Sequence, residues 1–273
     1  MSTVHPTRSK RRTRSAARRE KSSRRAVRSC SLCIFWPMPQ EDEGKAAAVR
    51  PDNSVKHLEG RSDMLTIHHL YPSRAERILF LAHELDIEHE VVAYHRDPET
   101  RLAPPELKTI HPLGSSPVIV DDGLCIAESG AAVMYLTRKY GGGRLLPEPG
   151  SPEAIRCEEW VHFNEATLMA WVVNVMILQM AGAAGTPTHE FATLRVGRYI
   201  AYMNDALEGR DFLCGDAMTM ADIMTAFSLD FMMNVSMPGL FDFPGMAEAT
   251  ALTAYAERLR AQPGYLYSQR RDF

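Results

Sequence analysis

The chain has 273 residues, 45% of them hydrophobic and 24% charged, which is typical of a globular protein long enough for two domains. Residues 1–63 hold 15 Lys and Arg against 7 Asp and Glu, whereas the remainder holds 16 against 27. The acidic remainder argues against non-specific binding of nucleic acid. Five scattered cysteines argue against a disulfide framework and favour a reducing cytoplasm.

Residues 1–62 are predicted to be a disordered basic leader, because charged and small polar residues fill it without sustained periodicity. An organellar transit peptide or a nucleic-acid-binding arm has a similar composition. We favour a third explanation, in which translation begins at Met64. Cys30 and Cys33 have the C-x-x-C spacing of redox enzymes, but no strand precedes them, so we interpret them as incidental thiols.

No membrane-spanning segment is predicted from the sequence. The most apolar stretch, 171–185, is interrupted by Asn174 and Gln179. It is shorter than the roughly 18–20 apolar residues that a transmembrane helix needs.

From Met64 onward the hydrophobic pattern predicts an α/β domain at 63–142. The predicted elements are a strand at 65–70, an amphipathic helix, a strand at 90–94, a short helix near 105–108, strands at 117–120 and 124–127, and a helix from 129 to about 140. The apolar face of the first helix comprises Ala75, Ile78, Leu79, Ala82 and Leu85. This βαβ, connecting helix, ββα order predicts a layer of sheet and helices.

Glycines and prolines predict a linker at 143–150, and residues 151–273 are predicted to form an all-helical domain. Apolar residues recur there at helical spacing. They are Trp160, Phe163 and Trp171 on one helix, and Val196, Ile200, Met203 and Leu207 on another. Thr219 and Asp222 predict a capping box at the start of a further helix.

Two short motifs bring polar groups to one edge of the predicted sheet. Ser116-Pro117 precedes a strand, whose edge N–H and C=O groups suit an extended peptide; a proline that merely starts the strand is the plainer interpretation. Glu128-Ser129 opens a helix. Ser129 is either a simple N-cap or a group that holds a carboxylate at the helix N-terminus.

Ser73, which follows the first strand, also has two interpretations. Ser73-Arg74-Ala75-Glu76 matches a capping box, which contributes about 1 kcal/mol to stability. The serine hydroxyl has one donor and two acceptor sites, so it can accept from the helix and still donate to a bound thiolate.

Taken in order, these motifs resemble those of the glutathione transferase family, in a branch found in bacteria and fungi. The resemblance covers nearly everything after residue 63. The matching residues are Ser73-Arg74-Ala75, Arg77-Ile78-Leu79, Ala103-Pro104-Pro105-Glu106-Leu107-Lys108, His111-Pro112-Leu113-Gly114, Ser116-Pro117 and Glu128-Ser129. The resemblance implies a thioredoxin-like domain with a mixed four-stranded sheet, followed by an all-α helical bundle domain.

The resemblance also implies roles for single residues. Ser116, before a cis Pro117, would pair its backbone with the cysteinyl part of glutathione. Glu128 and Ser129 would hold the γ-glutamyl end. Ser73 would donate a hydrogen bond to the thiolate.

Tyr71 is the rival donor, because other branches of the family use a tyrosine near this position. Relatives often carry Lys or Arg where Ser115 stands, so the glycyl carboxylate is expected to meet His111 or Arg74 instead. An apolar second substrate is expected near Phe163, Asn164 and Trp171.

His68 and His69 face opposite sides of the first strand, and we interpret both as structural. With His111 they have no metal-ligand spacing, so no metal is predicted. No permanently bound cofactor is expected, and glutathione is the co-substrate that the resemblance implies.

The sequence therefore predicts a cytoplasmic, homodimeric glutathione transferase that conjugates apolar electrophiles or reduces peroxides. A non-catalytic member of the family, retained as a binding or dimerisation module, is an alternative. A thiol–disulfide oxidoreductase ranks last, because no cysteine lies between Cys33 and Cys125.

Overall fold

The computed structural model describes residues 64–235 and 238–273. The predicted leader at 1–62, with Cys30 and Cys33, lies outside the described residues.

A mixed four-stranded sheet forms the centre of the first part of the chain. Its strands are β1 (Leu65–Tyr71), β2 (His89–His95), β3 (Val118–Asp121) and β4 (Leu124–Ala127), in the spatial order β2-β1-β3-β4. β1 pairs with β2 in parallel and with β3 in antiparallel orientation, and β3 and β4 form a hairpin. The predicted thioredoxin-like βαβ-ββα order is confirmed.

Three helices accompany the sheet: α1 (Glu76–Glu84), the short α2 (Leu107–Ile110) and α3 (Ser129–Tyr140). All five apolar residues predicted for the first helix are buried. The predicted capping box at its start is wrong. The Ser73 hydroxyl accepts from the Ala75 N–H at 3.2 Å, and the Glu76 side chain turns away toward Gln269, whose amide donates to it at 3.2 Å.

The second part of the chain is helical, as predicted. It contains α4 (Pro152–His162), a π-helical segment (Phe163–Met169), α5 (Ala170–Met180), α6 (Pro187–Leu207), α7 (Met220–Met232), α8 (Thr250–Arg260) and α9 (Pro263–Ser268). The predicted capping box of α7 is present, since the Asp222 carboxylate accepts from the Thr219 N–H at 2.7 Å. Ser151 caps α4 by accepting from the Ala154 N–H at 3.1 Å.

Helix α1 lies between the sheet and the second part of the chain, and its residues from Glu76 to Ala82 are all buried. On its outer side it meets α7 and α9. The Gly264 N–H of α9 donates to the Glu84 carboxylate at 2.8 Å. A Cβ at Gly264 would lie 2.7 Å from the Phe80 carbonyl oxygen, so this close approach requires glycine.

Among the described residues, one stretch, Pro152–Met180, is long and apolar enough to cross a membrane by length and composition. This is weak support for a membrane span, because helices of globular proteins pass the same criterion. Several apolar side chains of this stretch are exposed, Ile155, Ile177 and Met180 among them.

Candidate functional site

The candidate site lies where β1 ends and β3 begins. Ser116, just before β3, is tied to β1 by two hydrogen bonds: its hydroxyl donates to the His68 carbonyl at 3.0 Å and accepts from the Leu70 N–H at 3.1 Å. The Ser116–Pro117 peptide bond is cis, as the resemblance implied. The backbone that precedes β3 is thus fixed at the edge of the sheet where β1 ends and the chain turns toward α1.

Ser73 lies directly against this segment. Its hydroxyl oxygen is 3.1 Å from that of Ser116, and the residue is only 5% exposed. Two hydroxyls predicted from distant motifs therefore meet in one hydrogen-bonded pair. The Ser73 hydroxyl is held at the entrance to α1, where the helix dipole favours negative charge.

Glu128 and Ser129 form the opposite side of the site. Glu128 precedes α3 with a φ of +72°, a backbone conformation that is uncommon for a residue other than glycine and that recurs at functional sites. The Glu128 side chain is exposed, and Ser129 is buried at the first position of α3. Burial lowers the pKa of the neighbouring Arg74, and the Glu128 charge opposes that shift.

Ser129 is hydrogen-bonded to a buried charged network that the sequence did not predict. Arg77 of α1 is fully buried, and its guanidinium donates to Ser129 Oγ at 2.9 Å, to Glu165 and to Ser228 Oγ at 2.8 Å. Glu165 in turn accepts from Ser129 Oγ at 3.3 Å and faces Arg74 at 3.5 Å. Arg77 and Ser129 belong to the first part of the chain, and Glu165 and Ser228 to the second.

Arg77 lies off the predicted apolar face of the first helix, where a charged residue is normally exposed, so the hydrophobic pattern gave no sign of its burial. Glu165 gave no signal, because its orientation depends on the π-helical segment. An inserted residue in a helix changes which side chains face a neighbour, and such segments are frequent at functional sites.

Tyr71, the rival donor, lies next to Ser73 in sequence but in a different environment. Its ring stacks on His95 and contacts His69 edge-on, with centroids 5.5 Å and 4.0 Å away. The guanidinium of Arg271 from the C-terminal end lies 5.3 Å from the ring centroid. The Tyr71 hydroxyl is buried. Burial raises its pKa, and the Phe273 backbone and the Arg271 charge oppose that shift.

The three residues predicted to contact the second substrate have different surroundings. Asn164 is fully buried, and its amide donates to Trp160 O at 3.0 Å and Thr225 Oγ1 at 2.7 Å. Phe163 packs on Trp160 of α4 and on two tyrosines of α6, and Trp171 packs on Phe191 of α6. Their role in substrate binding stays a prediction.

Two further expectations can be compared with the geometry. His111 and Arg74 were expected to meet the glycyl carboxylate, and here His111 Nδ1 lies 3.3 Å from the Leu113 N–H while Arg74 faces Glu165. Arg96, missed in the sequence, donates to the Pro72 carbonyl at 3.2 Å beside the site.

Within the described part of the chain, no three His, Cys, Asp or Glu side chains cluster as metal ligands would.

Comparisons with known proteins agree with this arrangement. The family model for the N-terminal domain of glutathione S-transferases matches residues 64–138, and the C-terminal model matches 168–263. Glutathione S-transferase 3 of Schizosaccharomyces pombe is 31% identical over 180 residues, which is 61% of this chain and 73% of the relative. The chain belongs to the glutathione transferase family. Glutathione S-transferase 1 of Saccharomyces cerevisiae is 34% identical over 45% of this chain and 55% of its own length.

Solved glutathione transferases have the same fold. A glutathione S-transferase from Actinobacillus pleuropneumoniae superposes with a TM-score of 0.67 at 26% identity, covering 75% of this chain and 91% of the other. A glutathione transferase from Phanerochaete chrysosporium, solved with oxidized glutathione, superposes with a TM-score of 0.64 at 21% identity, covering 77% and 95%. The thioredoxin-like and helical parts of this chain are thus the two parts of a family fold.

Proposed function

We propose that this protein is a glutathione transferase that activates the glutathione thiol at Ser73 and transfers it to an apolar electrophile, or to a peroxide oxygen. The observation that carries the proposal is the hydroxyl pair of Ser73 and Ser116 at the entrance to α1. Family membership supplies glutathione as the co-substrate. No permanently bound cofactor enters the scheme.

In this proposal glutathione extends along the sheet edge. Its cysteinyl backbone pairs with Ser116 ahead of Pro117, as an added strand would. Its γ-glutamyl carboxylate meets Ser129 at the N-terminus of α3, and Glu128 neutralises the ammonium group. The sulfur then lies near Ser73.

The interaction free energies at this site are large enough to lower the pKa of the glutathione thiol without a general base. Lowering a thiol pKa from about 8.5 by two units requires about 2.7 kcal/mol. A hydrogen bond to a charged group contributes about 1.5–3 kcal/mol, and a helix N-terminus adds about 0.3–1 kcal/mol. Ser73 and α1 together supply that range. Holding the thiolate beside the electrophile supplies the rest of the rate enhancement.

The proposed enzyme is a cytoplasmic homodimer. Four large apolar side chains on the paired helices α5 and α6 are more than half exposed: Ile177 at 53%, Met180 at 69%, Phe191 at 55% and Leu194 at 57%. Exposed apolar surface of this kind is typical of an interface between chains. We define these four residues as the α5–α6 face.

Ser73→Ala tests the assignment of the thiolate donor. We expect conjugation of glutathione to chlorodinitrobenzene to fall about 10- to 100-fold in kcat/KM near neutral pH, because a charge-assisted hydrogen bond is lost. Steady-state kinetics on the full chain, with Tyr71→Phe as the matched variant, gives the answer. Full turnover in Ser73→Ala together with complete loss in Tyr71→Phe would reassign the donor to Tyr71. Retention on glutathione resin without conjugating or peroxidase activity would instead favour a binding module.

A further inference from the structure

The hydrogen bonds around Ser116 determine the direction of the Ser73–Ser116 contact. A serine hydroxyl has a single proton. That of Ser116 is donated to the His68 carbonyl at 3.0 Å. In the 3.1 Å contact between the two hydroxyls, Ser116 is therefore the acceptor and Ser73 the donor.

The acceptor sites of Ser73 face two nitrogens. The Ala75 N–H donates to Ser73 Oγ at 3.2 Å, which fills one site. His69 Nδ1 lies 3.5 Å from the same oxygen, at the outer limit of a hydrogen bond. Contacts of this kind are often long in the absence of substrate and shorten when it binds.

The tautomer of His69 follows from these contacts. The single proton of Ser73 is directed at Ser116, so a hydrogen bond with His69 requires the hydrogen on Nδ1. Nε2 of His69 is buried without a partner among the described residues. With the hydrogen on Nδ1, Nε2 is a buried acceptor without a partner. With the hydrogen on Nε2, the ring would instead bury an unpaired N–H group, which is rarer in folded proteins.

We propose that His69 is the positioning residue of the thiolate donor, its Nδ1–H filling the second acceptor site of Ser73 so that only the Ser73 proton can face glutathione. This inference rests on the proposed transferase function. A hydroxyl that accepts from two N–H groups is polarised and becomes a better donor. When the sulfur arrives, it competes with Ser116 for that one proton.

His69 is suited to this role because it is uncharged. The ring is fully buried, and burial together with the nearby charges of Arg271 and His95 lowers its pKa to about 4. At neutral pH it therefore donates without carrying a charge. His68, the next residue, supplies a matched control, since its Nδ1 lies 2.9 Å from the Tyr94 hydroxyl instead.

The test uses the full chain and three variants: His69→Phe, His69→Asn and His68→Phe. The pKa of bound glutathione is measured from its thiolate ultraviolet absorbance and from the pH profile of kcat/KM with chlorodinitrobenzene. We expect His69→Phe to raise the thiol pKa by about one unit and to lower kcat/KM at neutral pH about tenfold. The amide of His69→Asn reaches the Nδ1 position and should restore most of the effect, and His68→Phe should leave the thiol pKa unchanged.

A second comparison separates positioning from packing. Because His69 acts through Ser73, adding His69→Phe to Ser73→Ala should shift the thiol pKa no further. An additive shift, or an unchanged thiol pKa in His69→Phe, overturns the inference. If His69→Phe does not fold, His69→Gln replaces it, since its amide reaches the Nε2 position and should fail where His69→Asn succeeds; equal behaviour of the two amides overturns the inference. A wild type that neither binds nor conjugates glutathione refutes the proposed function itself.

Discussion

Glu76 is a carboxyl group that the fold removes from water. Burial raises its pKa to about 7, although the Gln269 amide and the Arg271 guanidinium oppose the shift; Asp230 adds to it. The folded protein therefore holds a proton on Glu76 at pH values where the unfolded chain has lost it. Stability falls as pH rises from about 4.5 to 7, because the unfolded state binds fewer protons over that window.

Glu76→Gln should remove this pH dependence. The difference in unfolding free energy between the variant and the wild type should shift in favour of the variant by roughly 2–3 kcal/mol from pH 5 to pH 8. Urea denaturation at the two pH values measures the change. The exposed Glu88→Gln is the control and should follow the wild type. Parallel pH dependence of Glu76→Gln and wild type would show that Glu76 is ionised in the folded protein throughout.

The start of helix α7 depends on one buried carboxylate. Asp222 accepts from the N–H and hydroxyl of Thr219 at 2.7 and 2.9 Å, from the Leu213 N–H at 3.0 Å, and from the Tyr255 hydroxyl at 2.7 Å. It thereby fixes the start of α7, the loop before it and α8 at one point. Burial raises its pKa despite these four bonds.

Asp222→Ala should therefore cost more than loss of an ordinary cap. Four donors lose their acceptor in a buried site, so we expect the free energy of unfolding to fall by roughly 3–5 kcal/mol. Ser151→Ala, which removes the cap of α4, should cost about 1 kcal/mol. Chemical denaturation of both variants measures the difference. Equal losses would mean that the four bonds at Asp222 contribute no more than a surface cap.

The elements were predictable where one local signal decides the structure. Strand 124–127 and the helix from Ser129 to Tyr140 have the predicted bounds. The interpretation of Ser129 as a simple N-cap is wrong, because Glu128 holds the N-cap position without a side-chain cap and the Ser129 hydroxyl bonds to Arg77 and Glu165. The capping box at Ser73 was mispredicted for the opposite reason. Glu76 meets Gln269, 193 positions along the chain, and no local pattern reports such a contact. The family resemblance assigned Ser73 and Ser116 to one glutathione site, but the pairing of their hydroxyls was not predicted.

The exposed α5–α6 face determines the expected assembly of the protein. Ile177→Glu or Leu194→Glu places a charge on this face, so the proposed homodimer should dissociate into monomers with an unchanged circular dichroism spectrum. Light scattering after size exclusion measures the mass. Leu266→Glu, on the exposed side of α9, is the control and should leave the mass unchanged. A wild type that is monomeric at micromolar concentration would contradict the homodimer.

The position of α1 limits which parts of the chain can be exchanged for those of a relative. The helix is covered by α7 and α9 on one side and by the sheet on the other, and Arg77 is paired with Glu165 and Ser228 from the later part of the chain. A recombination that exchanged only the second half for that of a distant relative would leave Arg77 buried without these acceptors. We therefore expect this fold to tolerate point changes more readily than the exchange of one half alone.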